Sequence, residues 1–452
     1  MFGTSGIRGR FGETVTVELA LSVGRALVAD GADRIVVGRD PRLTGPVLAD
    51  ALAAGARASG ADVIDLGVAA TPTIARSVGW QDADVGVAIT ASHNPPEDNG
   101  IKLWTASGMA FDADRRARIT ELLDRGAGEA AAWDAVGTRS AGESDARHAQ
   151  AVADAVESPE DRLRVVVGVG NGTGGVTVRA LRELGCVVET LNERPDGRFP
   201  ARPSEPTEKN CETLAATVGA TDADLGIAHD GDADRMRAVD ETGTFLAGDV
   251  LVALFGRAAV AAGDGDRIAA PVNTSLAVDD ALAAVGGSVT RTRVGDVFVA
   301  ERARDSGVVF GGEPSGAWIW PGETLAPDGT LAAAKLVALV GREGPLSALR
   351  AEIDQYPLYR ESHETADKAG VMDAVAALIG TEGVIAHERV DRTDGIRVKT
   401  DDGWLLVRPS GTEPVVRLTA EAREDRRARE LLDAGRELLE RAHETTDRDR
   451  ES

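Results

Sequence analysis

Short apolar runs recur along the chain, each closed by glycine or polar turn formers. They are Arg34-Ile35-Val36-Val37-Gly38, Asp62-Val63-Ile64-Asp65-Leu66-Gly67, Val85-Gly86-Val87-Ala88-Ile89, Arg164-Val165-Val166-Val167-Gly168-Val169, Asp224-Leu225-Gly226-Ile227-Ala228-His229, Met236 to Asp240, Asp266 to Val272 and Val308-Val309-Phe310. Their length and β-branching predict buried strands. Helical patterns lie between some of them, over Ala49 to Ser59 and Val178 to Leu184. Alternating strand and helix signals predict α/β layers. Near the end, Trp404-Leu405-Leu406-Val407 reads as a strand. A later helix places Ala428, Leu431, Leu432, Gly435, Leu438, Leu439 and Ala442 on one face. From Thr445 the chain is densely charged, and the pattern predicts a disordered tail.

The 452 residues exceed what one core holds, so about three or four domains are expected. A polar break at Gly137 to Ala146 marks the first boundary. The later ones fall near Gly248 and Pro357. The expected units are 1–140, 150–245, 246–350 and 357–445.

The chemistry-bearing residues sit where the strands end. After Ile89 comes Thr90-Ala91-Ser92-His93-Asn94-Pro95-Pro96-Glu97-Asp98-Asn99-Gly100-Ile101-Lys102, rich in turn formers. A hydroxyl beside an imidazole, Ser92 and His93, is the least an activated nucleophile requires; it is also an ordinary polar turn. After His229 comes Asp230-Gly231-Asp232-Ala233-Asp234-Arg235. Three carboxylates at alternate positions can converge on a hard cation, or form a solvated acidic turn. An EF-hand fails, because Arg235 stands where that loop needs glycine. Gly311-Gly312-Glu313-Pro314-Ser315-Gly316 offers a carboxylate and a hydroxyl suited to vicinal sugar hydroxyls. Arg408-Pro409-Ser410-Gly411-Thr412-Glu413-Pro414, with Arg417 beyond, has the amides, hydroxyls and guanidinium of a phosphate cradle. Gly170, Gly172 and Gly175 fit the dinucleotide spacing, with Glu189 roughly placed for a ribose. Alone that match is weak.

The formal net charge is −24, and lysine is nearly absent: Lys102, Lys209, Lys335, Lys368 and Lys399. Such a surface argues against nucleic acid as a partner. It admits an acidic interaction protein, but suits a salt-rich cytosol better, where screening relieves self-repulsion. Cys186 and Cys211 are the only cysteines, as expected of a reducing compartment. No apolar run is long enough to span a membrane and no secretion signal opens the chain, so a cytoplasmic protein is expected.

Taken together, the strings resemble those of the α-D-phosphohexomutases, the family of phosphoglucomutase, phosphomannomutase and phosphoglucosamine mutase. Gly3-Thr4-Ser5-Gly6-Ile7-Arg8-Gly9, Gly38-Arg39-Asp40 with Arg42, Thr44 and Gly45, and Asp328-Gly329 add to the likeness. The resemblance implies three α/β domains with mixed sheets and a smaller α+β C-terminal domain around a central cleft. It implies an intramolecular phosphotransferase: phosphorylated Ser92 passes its phosphoryl group to a hexose phosphate, and the hexose bisphosphate returns the other one. Ser92, Asp230, Asp232 and Asp234 would hold one Mg²⁺ per chain. Arg8, His93 and Lys102 would surround the reacting oxygen. Arg235, Glu313 and Ser315 would bind the sugar, and Arg408, Ser410, Gly411, Thr412 and Arg417 its distal phosphate. The expected protein is a monomer or homodimer with a small-molecule substrate.

One departure from the family pattern stands out. Many members have histidine after Ser-Gly, where this chain has Ala317, followed by Trp318-Ile319-Trp320. The Ala-Trp form is similar to archaeal phosphoglucosamine-mutase-like members, so glucosamine 6-phosphate is the expected substrate, with mannose and glucose phosphates as alternatives. Without that imidazole, Lys102 is expected to shuttle the proton, its pKa lowered by desolvation and by Arg8, while His93 orients the phosphoserine. The other readings left open are a serine-dependent phosphatase, a nicotinamide enzyme at Gly170 and a non-catalytic sugar-phosphate binder.

Overall fold

A computed structural model describes residues 3, 6–381, 385, 387–411 and 414–451. The first sheet holds β1 (Ile7–Arg10), β2 (Arg34–Arg39), β3 (Asp62–Val68), β4 (Val85–Ile89), β5 (Asp98–Thr105) and β6 (Arg139–Ala141), in spatial order β1-β5-β4-β2-β3-β6. The second holds β7 (Arg164–Gly168), β8 (Val187–Leu191), β9 (Leu225–His229) and β10 (Met236–Asp240), in order β10-β9-β7-β8. The third holds β11 (Arg267–Pro271), β12 (Ser288–Thr292), β13 (Val308–Gly312) and β14 (Trp318–Ile319), in order β12-β11-β13-β14. The fourth is fully antiparallel: β15 (Leu358–Glu364), β16 (Arg389–Asp391), β17 (Ile396–Lys399), β18 (Gly403–Pro409) and β19 (Val415–Ala422), in order β15-β19-β18-β17-β16.

The first three sheets share one plan. Three parallel strands, β3-β2-β4, β8-β7-β9 and β12-β11-β13, are each bordered by an antiparallel strand: β5, β10 or β14. The fold class is therefore as expected, three similar α/β units and a different C-terminal one. The turn from the last parallel strand into its antiparallel neighbour is where the three units place Ser92, Asp230 to Asp234, and Glu313 with Ser315. The plan aims all three loops out of equivalent sheet ends.

Cores divide differently from sheets. The first and fourth units each bury their own cluster, the fourth against the predicted face of the helix Asp425–Glu451. The second and third share one continuous core, from Val167 and Ile227 to Phe255, Phe310 and Trp318. Trp318 packs edge-on to Phe255 at 5.2 Å and donates its indole N–H to the Met236 carbonyl at 2.9 Å, across the two sheets.

Three local expectations need correction. The polar break contains β6, which pairs in parallel with β3, because three extended residues suffice to add an edge strand. The stretch Thr290 to Asp296 reads in the sequence as a turn region, yet its first residues belong to β12 (Ser288–Thr292), whose polar outer positions hid its pairing with β11. The charged tail continues the last helix to Glu451, and at its start the Thr445 hydroxyl donates back to the Arg441 carbonyl at 2.9 Å. Among the described residues no helix is long and apolar enough to cross a membrane.

Candidate active site

Ser92 is 1% exposed and has φ +52°, a conformation a non-glycine residue adopts only under constraint. The constraint comes from Arg42. Its buried guanidinium donates to the carbonyls of Ser92 (3.0 Å), Asn94 (2.7 Å), Asp98 (2.9 Å) and Pro95. Arg42 is itself paired with Asp40 at 2.9 Å, and lies over the Phe199 ring from the second unit. Asp40 accepts from the Thr90 hydroxyl at 2.7 Å, whose oxygen accepts from the Ser92 amide at 2.8 Å. Ser204, also of the second unit, donates to the Ser92 carbonyl at 2.8 Å. Five residues from three segments thus fix one serine.

That fixation presents Ser92 Oγ to the acidic loop. It donates to Asp230 Oδ2 at 2.6 Å, and lies 3.3 Å from His93 Nδ1. Asp230, Asp232 and Asp234 are buried, each offering a carboxylate oxygen within 4.8 Å of the others. Ala233 between them takes φ +56°, which turns successive carboxylates inward. Lys102 Nζ bridges Asp232 Oδ2 (2.8 Å) and Asp234 Oδ2 (2.6 Å). Burial and the neighbouring Asp234 and Asp232 push the Asp230 carboxyl well up. Asp232 is held low despite burial, because Lys102 and Thr71 stabilise its charge.

This donor set fits a hard cation. Its ligands are all oxygen, its carboxylates outnumber the one ammonium among them, and Asp232 Oδ1 is buried with no hydrogen-bond partner among the described residues.

Lys102 does not have the lowered pKa expected of it. Burial opposes its charge, as does Arg8, but Asp232 and Asp234 outweigh both and the pKa is raised. The sequence placed Lys102 near Arg8 correctly but could not show that two carboxylates stand closer. His93 is neutral. Burial lowers its pKa to about 2, with Arg235, Arg8 and Lys102 adding to the shift. Arg8 lies on β1 opposite Gly100, its Nε buried and without a hydrogen-bond partner among the described residues.

Arg235 joins this cluster to the sugar loop. Its amide donates to Asp230 Oδ1 at 3.2 Å, its backbone bridges that of Ala317, and its guanidinium feels both Asp230 and Glu313. Ala317 is thus a buried pairing position. Glu313 accepts from the Gly295 amide at 2.7 Å and from Ser315 Oγ at 3.2 Å. Burial pushes its carboxyl up to about 7, helped by Asp296.

The fourth sheet holds a separate group. Arg408 and Arg417 face each other directly across β18 and β19. Arg408 reaches Asp394 at 3.5 Å, and Asp394 accepts from the Val294 amide of the third unit at 3.0 Å. Ser410 is buried, its carbonyl accepting from Lys368 at 2.7 Å, with Gly411 next to it. Thr412 lies outside the described residues.

Other residues of the site were not singled out from sequence. Arg42 and Asp40 were noticed but given no task. Thr71 opens the helix Thr71–Trp80 and donates to Asp232 twice, from Oγ1 to Oδ2 at 2.6 Å and from its amide to the carbonyl at 2.9 Å. The helix N-terminus thereby favours that carboxylate's charge. The Thr-Pro pair at a helix start was the available signal. Asp328 caps the helix Gly329–Glu343 and also binds Arg76 at 2.8 Å and His148 at 3.0 Å, joining three units at one buried point. Two glycines of the spacing at Gly170 have a packing reason: a Cβ on Gly170 would meet the Arg202 guanidinium at 2.5 Å, and one on Gly172 the Gly231 carbonyl at 2.7 Å. Gly172 thereby lets the turn lie against the acidic loop.

A serine loop, a carboxylate cage and a Glu-Ser loop at equivalent sheet ends, with facing arginines on a fourth domain, are the parts a phosphosugar phosphotransferase needs. Phosphoglucomutase/phosphomannomutase α/β/α domains I, II and III match residues 1–129, 146–243 and 247–356, and the C-terminal domain of that family matches 363–438. The chain belongs to this family, the α-D-phosphohexomutases, and is a phosphosugar mutase, an isomerase. It is 47% identical to the "Probable phosphoglucosamine mutase" of Methanopyrus kandleri, over 98% of both chains. It is 46% identical to the protein of the same description from Methanosarcina acetivorans, over 94% of this chain and 95% of that one. The crystal structure of a phosphoglucomutase/phosphomannomutase family protein from Burkholderia thailandensis superimposes with a TM-score of 0.88 at 29% identity, over 98% of each chain.

Proposed function

We propose that the chain interconverts glucosamine 6-phosphate and glucosamine 1-phosphate through phosphorylated Ser92 and a hexose bisphosphate. The observation that carries the reaction is the Ser92 hydroxyl, locked by Arg42 and set 2.6 Å from Asp230 at a buried carboxylate cage. The substrate rests on the archaeal relatives, both described as probable phosphoglucosamine mutases, and on the Ala317-Trp318 form of the sugar loop.

Phosphoserine Oγ–P cleavage is matched by a new bond from phosphorus to the oxygen of a sugar hydroxyl, whose proton is released. The return step forms Oγ–P again from the other phosphate of the bisphosphate. The transition state of such transfers is loose and asks mainly for positioning and charge. Arg42, Asp40 and Thr90 position Oγ. Lys102, Arg8 and Arg235 supply fixed positive charge around it. Lys102 acts here as a cation, not as a proton shuttle. Asp230, Asp232, Asp234 and an oxygen on Ser92 would hold one Mg²⁺, which when bound adds positive charge at the transferring group. Glu313 and Ser315 grip the sugar hydroxyls. Arg408, Ser410, Gly411, Thr412 and Arg417 hold the phosphate that does not react. The acidic surface supports work in a salt-rich cytosol.

Ser92→Ala tests the reading. Intact mass should show no phosphoserine, and mutase turnover with glucosamine phosphates should fall by roughly 10³-fold or more. Retained turnover would sink it. Comparing glucosamine, glucose and mannose phosphates ranks the substrate.

A further inference from the structure

We propose that the junction of the third and fourth sheets contains a second binding site, for an oxyanion of the phosphate class, with the Arg397 guanidinium as its recognition group. A cavity of about 560 Å³ lies there, between the helix Leu276–Ala283 and β12 on one side and β16 and β17 on the other. That volume suits a small ligand. None of its lining residues belongs to the Ser92, Asp230, Glu313 or Arg408 loops.

Arg397 lines the cavity and is 7% exposed. One face of its guanidinium is covered by the Trp404 ring, 4.7 Å away. Its Nε and Nη2 are buried and have no hydrogen-bond partner among the described residues. These two N–H groups form a single edge of the guanidinium, the edge that takes two oxygens of one carboxylate or phosphate side by side. A chloride ion would also balance the charge, but it offers one acceptor atom where an oxyanion offers two.

Four of the carboxylates nearby have partners of their own, and Asp401 on the cavity wall interacts with Glu388. Asp391 stands directly across from Arg397 on β16, yet accepts from the Thr393 amide at 2.8 Å. Glu421 accepts from Ser275 Oγ, the Leu276 amide and Trp404 Nε1. Asp279 pairs with Arg291, and Asp280 with Arg423. Burial, with Arg291 adding to the shift, lowers the Arg397 pKa to about 10. A buried cation with a free bidentate edge is costly unless an anion completes it. Because β17 is hydrogen-bonded to β18, which carries Arg408, the ligand would also tie the fourth sheet to the third.

Phosphate binding is measured by calorimetry in chloride-free buffer on the full chain. Arg408→Met removes one arginine of the proposed active-site phosphate group and should leave a saturable site for inorganic phosphate. Adding Arg397→Met, which keeps the apolar stem, should weaken that site by roughly 10- to 100-fold. The two readings fail separately. If Arg408 holds no phosphate, its variant matches wild type, while Arg397→Met still removes one site. The phosphate-free melting temperature should rise in Arg397→Met, because an unpaired buried charge is gone, and phosphate should then stabilise this variant less than its parent. Unchanged phosphate binding after Arg397→Met overturns the site, and so does a response to chloride alone. A fall in melting temperature with no change in the phosphate response would make Arg397 only a stacking partner of Trp404, and also overturns it. In the same background, glucosamine 6-phosphate binding more tightly than inorganic phosphate assigns the cavity to a sugar phosphate. Equal binding assigns it to the free ion.

Discussion

At the Asp230 loop three carboxylates are buried with one ammonium between them. At the Arg397 cavity a guanidinium is buried and, among the described residues, no group accepts from its Nε and Nη2. Both regions hold charge out of water with a polar atom left over: Asp232 Oδ1 in one, Arg397 Nε and Nη2 in the other. The difference lies in how each is held. The acidic loop is one turn of chain, braced by Thr71, Lys102 and the Ser92 loop. The basic cavity is assembled from two units that meet only in the folded protein. Buried charge without a full set of partners marks a place for a ligand in both, and the sign of the charge names the ligand's class.

The largest expected effect breaks the two apart. Asp232→Asn removes a ligand while leaving Thr71 and Lys102 a carbonyl oxygen to donate to. Mutase turnover should fall by roughly 10³-fold, while the metal-free melting temperature changes by only a few degrees. The stabilisation by saturating Mg²⁺, about 2.7 kcal/mol at a hundredfold excess over Kd, should disappear. Turnover near wild type, or unchanged stabilisation by Mg²⁺, would remove the cage from the mechanism. Arg397→Met, by contrast, should spare most turnover at saturating substrate.

Arg42→Met comes next. It leaves Asp40 buried without its cation and the carbonyls of Ser92, Asn94, Pro95 and Asp98 without their donor. Breaking a buried pair of this kind costs about 3–5 kcal/mol, and denaturant unfolding should show it. The Ser92 loop should then relax from φ +52° and lose its phosphoryl-transfer rate even where the variant is folded. Arg42→Lys keeps the charge but not the fork, so it should recover stability before it recovers rate. If the two recover together, Arg42 serves folding alone.

These two effects also show what the sequence could and could not tell. Ser92 and the three aspartates were legible because each loop is continuous: residues a few positions apart on one turn must converge. The strand Val85–Ile89 was legible to the residue for a similar reason, since a buried parallel strand is apolar throughout. Arg42 was visible as a motif letter, but its role depends on carbonyls about fifty residues away, which no local pattern carries. Lys102 shows the same limit in charge. Ten positions after Ser92 it was placed correctly, yet its pKa moves the opposite way to the expectation because Asp232 and Asp234 arrive from another unit. Arg397 was invisible, being one arginine in a chain that uses arginine for almost all its positive charge.

Lys102→Arg sharpens the reading of that lysine. With Lys102 acting as a cation between two carboxylates, the arginine variant should keep turnover within roughly tenfold of wild type, whereas Lys102→Met should lose far more. Equal loss in both would restore a titrating role.

The smallest effect concerns Glu313, where burial and Asp296 push the carboxyl up to about 7. Near neutral pH it is therefore half ionised. If the carboxylate form grips the sugar hydroxyls, KM should fall severalfold as pH rises from about 6 to 8, with kcat changing less. The substrate phosphate also ionises near pH 6, so the comparison must be with Glu313→Gln. That variant should lose the step near pH 7 and keep only the one the substrate brings. Stability supplies an independent check. A carboxyl whose pKa is higher folded than unfolded binds its proton more tightly in the native state, so its contribution to stability is present below about 4.5 and declines as pH rises to about 7. Wild type should accordingly lose stability relative to Glu313→Gln across that window and differ by a constant amount above it. Parallel unfolding curves from pH 4 to pH 8 would mean that the Gly295 amide and Arg235 keep Glu313 ionised throughout, and that the KM step belongs to the substrate alone.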